Sequence, residues 1–321
     1  ATQRSSTLAQ NDCAARATPR LAAKQRLART RMKHQQALAA MPRLPYLLVA
    51  TLIWLAGIQT LAAAPASDLW PRWQAHNSDN TATIDHSDFD RFLKRYVVTA
   101  DHGPNGVRYA AVTDADAKAL NAYIDQLEQV QISHYARPEQ RAYWINLYNA
   151  ITLSLVVDHW PVGTIRDIDA GVFDSGPWDE KRATVEGIRL SLNDIEHRIL
   201  RPIWHDTLTH YGVNCASISC PALLPQAYTG KTVDAMLKDN ARAYIASPQG
   251  VTIKDDRLIV SKIYQWYGSD FGGVPGVLSH LAEHAPASLA RQIRAHDAID
   301  GYAYDWSVNS ADNVAALAPD D

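Results

Sequence analysis

Two cysteines stand in the segment Asn214-Cys215-Ala216-Ser217-Ile218-Ser219-Cys220-Pro221, and a thiol followed by small residues is the sharpest chemical feature of this chain. Residues 210–214 are expected to form a strand leading into that segment. A thiol at the end of a strand, where backbone N–H groups converge, can have a lowered pKa, and those N–H groups can serve as an oxyanion hole. Acyl transfer at sulfur needs both. The pair is equally open to two other readings: a Cys215–Cys220 disulfide, or two small buried side chains.

A nucleophilic thiol needs a base. His197 is the leading candidate, on a helix opposite the Leu192, Ile195 and Ile199 stripe and beside the acids Asp194 and Glu196. His210 is second, because an odd offset along the expected strand would turn it to the face away from Cys215. Asn146 and Asn149 share one side of an otherwise apolar helix. Buried amides need partners, so they orient His197, hold a substrate backbone, or tie neighbouring loops to the core. The candidate catalytic set is therefore Cys215, His197, Glu196 and Asn146. Asn149, Trp178, Asn214, Ser217 and Ser219 are the candidate substrate-binding residues. Trp144, Tyr148, Trp178, Trp204, Trp266 and Tyr267 either line a groove for peptide or glycan or pack the core.

Other chemistries find little support. His205 and His210 with the cysteines do not have the spacing of a zinc motif, and no metal site is expected. The chain has no GxGxxG, P-loop or HExxH string, so no cofactor is expected either.

The elements that must carry these residues read as an α+β chain. A helix is expected over 84–98, capped by Asp85 or Ser87, then a short strand over 106–112 and a second helix capped by Asp114. The run RPEQRAYWINLYNAITLSLVVDHW, with Pro138 in its first turn, is apolar nearly all round and predicts a central, buried helix. After the loop GVFDSGPWD come a hairpin turning at Glu186-Gly187, a helix opened by Ser191 with Asp194 and stopped by Pro202, and a helix over 231–245. A second hairpin crosses Asp255-Asp256, and a last strand lies near 299–306. Helices packed on a small, mostly antiparallel sheet are the expectation.

Residues 1–40 are basic and show no sustained apolar period. They are expected to be an upstream extension, with translation starting at Met32 or Met41. Residues 41–66 have the pattern of a signal peptide: Arg43, an apolar run over 47–61, and Ala64-Pro65-Ala66 as a cleavage site. The apolar run is short for a bilayer span, so export to the periplasm or beyond, with no stable membrane anchor after cleavage, is the expectation. Residues 67–309 would form one domain and 310–321 a flexible acidic tail. The whole chain has a net charge of −3, and residues 1–66 hold nine Lys and Arg against one Asp, which leaves the remainder near −11. So acidic a body argues against nucleic acid, whose phosphates require Lys and Arg. The expected ligand is a small molecule or peptide-like.

WINLYNA (144–150), Pro177-Trp178, LSLNDIEHRILRP (190–202), NCASISCP (214–221), SKIYQWYGSDFG (261–272) and YDWSVN (304–309) occur in that order. On these six strings the chain resembles the family catalogued as domain of unknown function 547, as a bacterial exported member. The resemblance implies no settled activity. It favours Cys215 over Cys220 as the reactive thiol and places His197 in the family's IEH string. There is also a distant similarity to papain-like thiol hydrolases in a rearranged order. Two functions follow. One is an exported thiol-dependent hydrolase or transferase acting on an amide or peptide-like substrate. The other is a non-catalytic periplasmic binding or scaffold module with Cys215 and Cys220 paired or buried.

Overall fold

The computed structural model describes residues 64–100, 103–168 and 176–317. The expected extension, nearly all of the expected leader and most of the loop after Pro161 lie outside the described residues. The helix α1 (Ser87–Tyr96) and the antiparallel pair β1 (Val97–Val98) and β2 (Gly106–Val107) come first, followed by α2 (Asp114–Glu128). Two expected caps shift by a residue or two. His86 is the N-cap of α1, with Asp85 accepting the Ser87 N–H just outside the helix. Thr113 rather than Asp114 caps α2, accepting from the Asp116 N–H.

The 22-residue α3 (Arg137–Asp158) is the axis of the larger core. Its first turn tolerates Pro138 because that N–H would have no helical partner. Tyr143, Ile145, Leu147 and Ala150 are wholly buried, and Trp144 and Tyr148 nearly so. Burying side chains of this size contributes about 1.5–3 kcal/mol each. One side of α3 meets α2 and another meets the helix that carries His197.

β3 (Ala183–Val185) and β4 (Ile188–Leu190) form the expected hairpin. Glu186 and Gly187 both adopt positive φ there, which is what a two-residue turn matching the strand twist demands. Ser191 and Asp194 then form a reciprocal cap: Asp194 accepts the Ser191 N–H at 2.9 Å, and Ser191 Oγ accepts the Asp194 N–H at 3.2 Å.

Pro202 does not end this helix. A π-helical turn (Asp194–Leu200) runs straight into α4 (Arg201–Trp204). A proline N–H is missing from the ladder, so the carbonyls of His197 and Arg198, which it would serve in π or α register, need other donors. The chain just after the expected leader supplies them: Asp68 N–H reaches His197 O and Trp70 N–H reaches Arg198 O, each at 3.0 Å. The Arg198 guanidinium sits 4.3 Å over the Trp70 ring.

Residues 210–214, expected as a strand, are not one. A 3-10 turn (Thr207–Tyr211) is opened by Asp206, and Asn149 takes the backbone groups of the next residues. After α5 (Val233–Ala246) a smaller core forms around the hairpin β5 (Val251–Lys254) and β6 (Arg257–Ser261), turned at Asp255 and Asp256 with positive φ. α6 (Ile263–Trp266), α7 (Gly273–His284) and α8 (Ala287–Ile293) follow. The last strand, β7 (Gly301–Ala303), pairs with β6 in parallel, Val260 opposite Tyr302. The fold is α+β, but its strands form three separate small sheets among the described residues, not one. The expected loose tail begins with a helix, α9 (Ala311–Ala315), capped by Ser310. It lies so close to Gly106 that a Cβ there would stand 2.7 Å from the Ala311 Cα.

Candidate functional site

Asn149, on α3, donates to Gly212 O at 2.9 Å and accepts the Asn214 N–H at 2.8 Å. Asn214 in turn donates to Pro221 O and accepts the Ala216 N–H at 2.9 Å, closing the cysteine segment on itself with Ala216 at φ +56°. The C-terminal segment pins the other side. Asn309 N–H reaches Ala216 O, Ile218 N–H reaches Ser307 O, and Ser219 exchanges bonds with the Asp305 backbone. The Tyr244 hydroxyl donates to Ser219 O at 2.7 Å.

Within this frame Cys215 and Cys220 form a disulfide, with Cα atoms 6.2 Å apart. The Cys215 N–H points at Cys220 Sγ at 2.9 Å. The Tyr304 hydroxyl lies 3.1 Å from Cys215 Sγ and 3.3 Å from Cys220 Sγ, and accepts from the Ser217 hydroxyl at 2.9 Å. The backbone N–H groups of Cys215, Ala216, Ile218, Ser219 and Cys220 are all committed within the fold. An oxyanion hole drawn from them would have to break one of those bonds first.

His197, expected on the helix face opposite the Leu192, Ile195 and Ile199 stripe, is itself buried and only 4% exposed. Its Nδ1 lies 3.0 Å from Arg201 Nη1 and 3.9 Å from Glu196 Oε1. A guanidinium can only donate, so Nδ1 is the acceptor and the neutral ring carries its proton on Nε2. Burial, reinforced by Arg201 and His210, holds the His197 pKa below the ordinary value against the pull of Glu196. Glu196 is buried with hydrogen bonds from Tyr148 and Tyr267. Burial pushes its carboxyl up, but His197, His210, Tyr267 and Arg201 outweigh it and leave the pKa lowered.

Behind His197, Arg201 holds Asp270 with two bonds of 2.7 and 2.9 Å, and His210 Nε2 joins the same carboxylate at 2.9 Å. His210 also stacks on Tyr267 with centroids 4.2 Å apart. The hydroxyls of Ser217 and Tyr304 are the polar groups on Cys215 Sγ, and among the described residues no histidine hydrogen-bonds to it.

Asn146 is not part of this constellation. It clamps Tyr228 by both backbone groups, donating to its carbonyl at 2.8 Å and accepting its N–H at 3.0 Å. Of the aromatic candidates, Trp144 belongs to the core against Trp73, and Trp204 lies under Arg137. Trp178 and Trp266 are instead half-buried and come together around Trp306, at 5.9 and 5.5 Å. Tyr304 stands 4.7 Å from both Trp266 and Trp306.

Arg201, Asp270, Tyr304 and Trp306 were not singled out from sequence. The signal lay in the strings LSLNDIEHRILRP, SKIYQWYGSDFG and YDWSVN, whose polar and aromatic residues converge here. Among the described residues no group of three His, Cys, Asp or Glu side chains is placed to hold a metal ion, and no helix is long and apolar enough to cross a membrane. Residues 132–245 match the family model described as a protein of unknown function, DUF547. That stretch includes α3, the His197 helix and the cysteine loop, and ends before Tyr267, Asp270 and Tyr304. No curated protein and no solved structure matches the chain.

Proposed function

We infer, for a chain that carries the DUF547 family's domain over residues 132–245, that it acts as an exported binding module for peptide-like ligands with cationic side chains. Export rests on the leader pattern of residues 41–66. The observation that carries the binding reading is the contact cluster of Trp178, Trp266, Tyr304 and Trp306, four rings that are only partly buried. A folded chain usually hides indoles of this size, and contiguous exposed aromatic surface is characteristic of recognition sites. Exposed carboxylates flank the cluster: Asp179 and Glu180 next to Trp178, and Asp305 next to Trp306. Arg166 already lies 5.3 Å over the Trp306 ring, the position a ligand guanidinium or ammonium would take. The cysteine loop beneath meets the Tyr304 hydroxyl with its sulfurs and bonds the backbone of Asp305, Ser307 and Asn309, on either side of Trp306.

A second reading, thiol-dependent hydrolysis or transfer of an amide, is favoured by one observation. Cys215 is the less buried cysteine of the pair, and its sulfur lies against the Ser217 and Tyr304 hydroxyls. It requires the bridge to open and a histidine to reach the freed thiol.

The test is selection of immobilised protein against a random hexapeptide library at physiological salt, beside a panel of oligosaccharides. Enrichment of Lys- and Arg-containing peptides, lost in a Trp266→Ala, Trp306→Ala double variant, is expected. Selective oligosaccharide capture, equal capture by the variant, or cleavage of the peptides would each overturn the binding reading as stated.

A further inference from the structure

We propose that the Cys215–Cys220 bond is a thiol–disulfide exchange site, opened by an external thiol that attacks Cys215 and expels Cys220. The proposal stands apart from the ligand reading and depends on four observations about the two sulfurs.

The first is access. Cys220 is 5% exposed, whereas Cys215 is only half-buried, so Cys215 is the residue of the pair nearer to solvent and open to an incoming thiolate. The second is the leaving group. Cys220 Sγ already accepts the Cys215 N–H at 2.9 Å and lies 3.3 Å from the Tyr304 hydroxyl. Hydrogen bonds to a developing thiolate lower its basicity and speed its departure. Burial pushes the Tyr304 pKa above its ordinary value, so its O–H remains a donor throughout the neutral range.

The third concerns what the bond contributes to folding. It closes a loop of sequence separation 5, and closing so short a loop removes little entropy from the unfolded chain, so the bond contributes little to folding. The fourth is that the same loop is held without it, by Asn149, Asn214, Asn309 and Tyr244. Opening the bond therefore leaves both sulfurs in place to re-form it.

The step balances as follows. A thiolate RS⁻ forms a bond to Cys215 Sγ, the Cys215–Cys220 bond breaks, and the electron pair leaves on Cys220 as a thiolate. A second equivalent of the thiol, or the second sulfur of a dithiol, attacks the mixed disulfide at the RS sulfur. That releases the oxidised reagent and leaves Cys215 and Cys220 as thiols, two electrons having passed from reductant to bridge.

The experiment treats the folded protein with glutathione at neutral pH without denaturant, quenches with acid, alkylates and maps the peptides. Glutathione on Cys215 and the alkyl group on Cys220 are expected, and this readout needs no variant. Tyr304→Phe, checked for an unchanged circular-dichroism spectrum, should open about tenfold more slowly. Glutathione found on Cys220, a bridge that opens only in denaturant, or a folded Tyr304→Phe protein that opens at the wild-type rate would overturn the proposal.

Discussion

The side-chain carbonyl of Asn149 receives the backbone N–H of Asn214 at 2.8 Å, joining the buried central helix to the residue before Cys215. The same amide donates to Gly212 O, so its two ends hold two residues, Gly212 and Asn214, of one loop. Asn149→Ala should therefore strand a buried donor and a buried acceptor. We expect a loss of about 2–4 kcal/mol in unfolding free energy, measured by urea titration. The cysteine bridge should also become more readily reduced in the variant. A loss below about 1 kcal/mol would show that the loop does not rely on this clamp.

Leu147 is wholly buried on the same helix. Leu147→Ala should lower stability by about 2–5 kcal/mol through lost burial and the cavity left behind. A urea midpoint within error of wild type would mean that α3 is not the axis of the core.

Histidines whose pKa is lowered make stability depend on pH, His86 and His280 foremost. Burial lowers the pKa of His86 from 6.5 to about 4, its Nδ1 bonded to the Tyr123 hydroxyl. Burial, with His284 and His210 nearby, lowers His280 likewise to about 4. Between those values the unfolded chain binds the extra protons, so stability is full above about pH 6.5 and falls as pH drops toward 4. Each ring contributes about 1.4 kcal/mol per pH unit across that window. Buried or partly buried carboxylates whose pKa is lowered, among them Asp194, Glu196 and Asp270, add the same trend at lower pH still. The urea midpoint at pH 4.5 should lie clearly below that at pH 7. Equal midpoints would mean that both rings reach water in the folded state.

The elements set by local periodicity and turn chemistry were legible in the residue order. The apolar run of α3, the Glu186-Gly187 and Asp255-Asp256 hairpins, and the Ser191–Asp194 cap each follow from short-range rules and are present. What was illegible depended on partners far along the chain. Residues 210–214 have strand-like composition but surrender their backbone groups to Asn149. Pro202 reads as a stop, yet the helix passes through it because Asp68 and Trp70 serve the carbonyls it leaves open. His197 sits among polar neighbours in sequence, but the π-helical turn and Arg201 enclose it. The pairing of the cysteines was one of three open readings, and the pairing of Tyr304 with their sulfurs spans 89 residues.

The ring cluster is the centre of the functional account, and the tryptophans can report on it separately. Of the nine in the chain, Trp178, Trp266 and Trp306 belong to the partly buried cluster, whereas Trp73 and Trp144 are 2% and 1% exposed. The direct measurement is the indole N–H region of a nitrogen–proton correlation spectrum, recorded while a mixture of short Lys- and Arg-containing peptides is added. The account predicts saturable shifts of the Trp178, Trp266 and Trp306 signals with those of Trp73 and Trp144 unmoved. Signals of the cluster that stay fixed at millimolar peptide, or shifts shared equally by all the indoles, would contradict it.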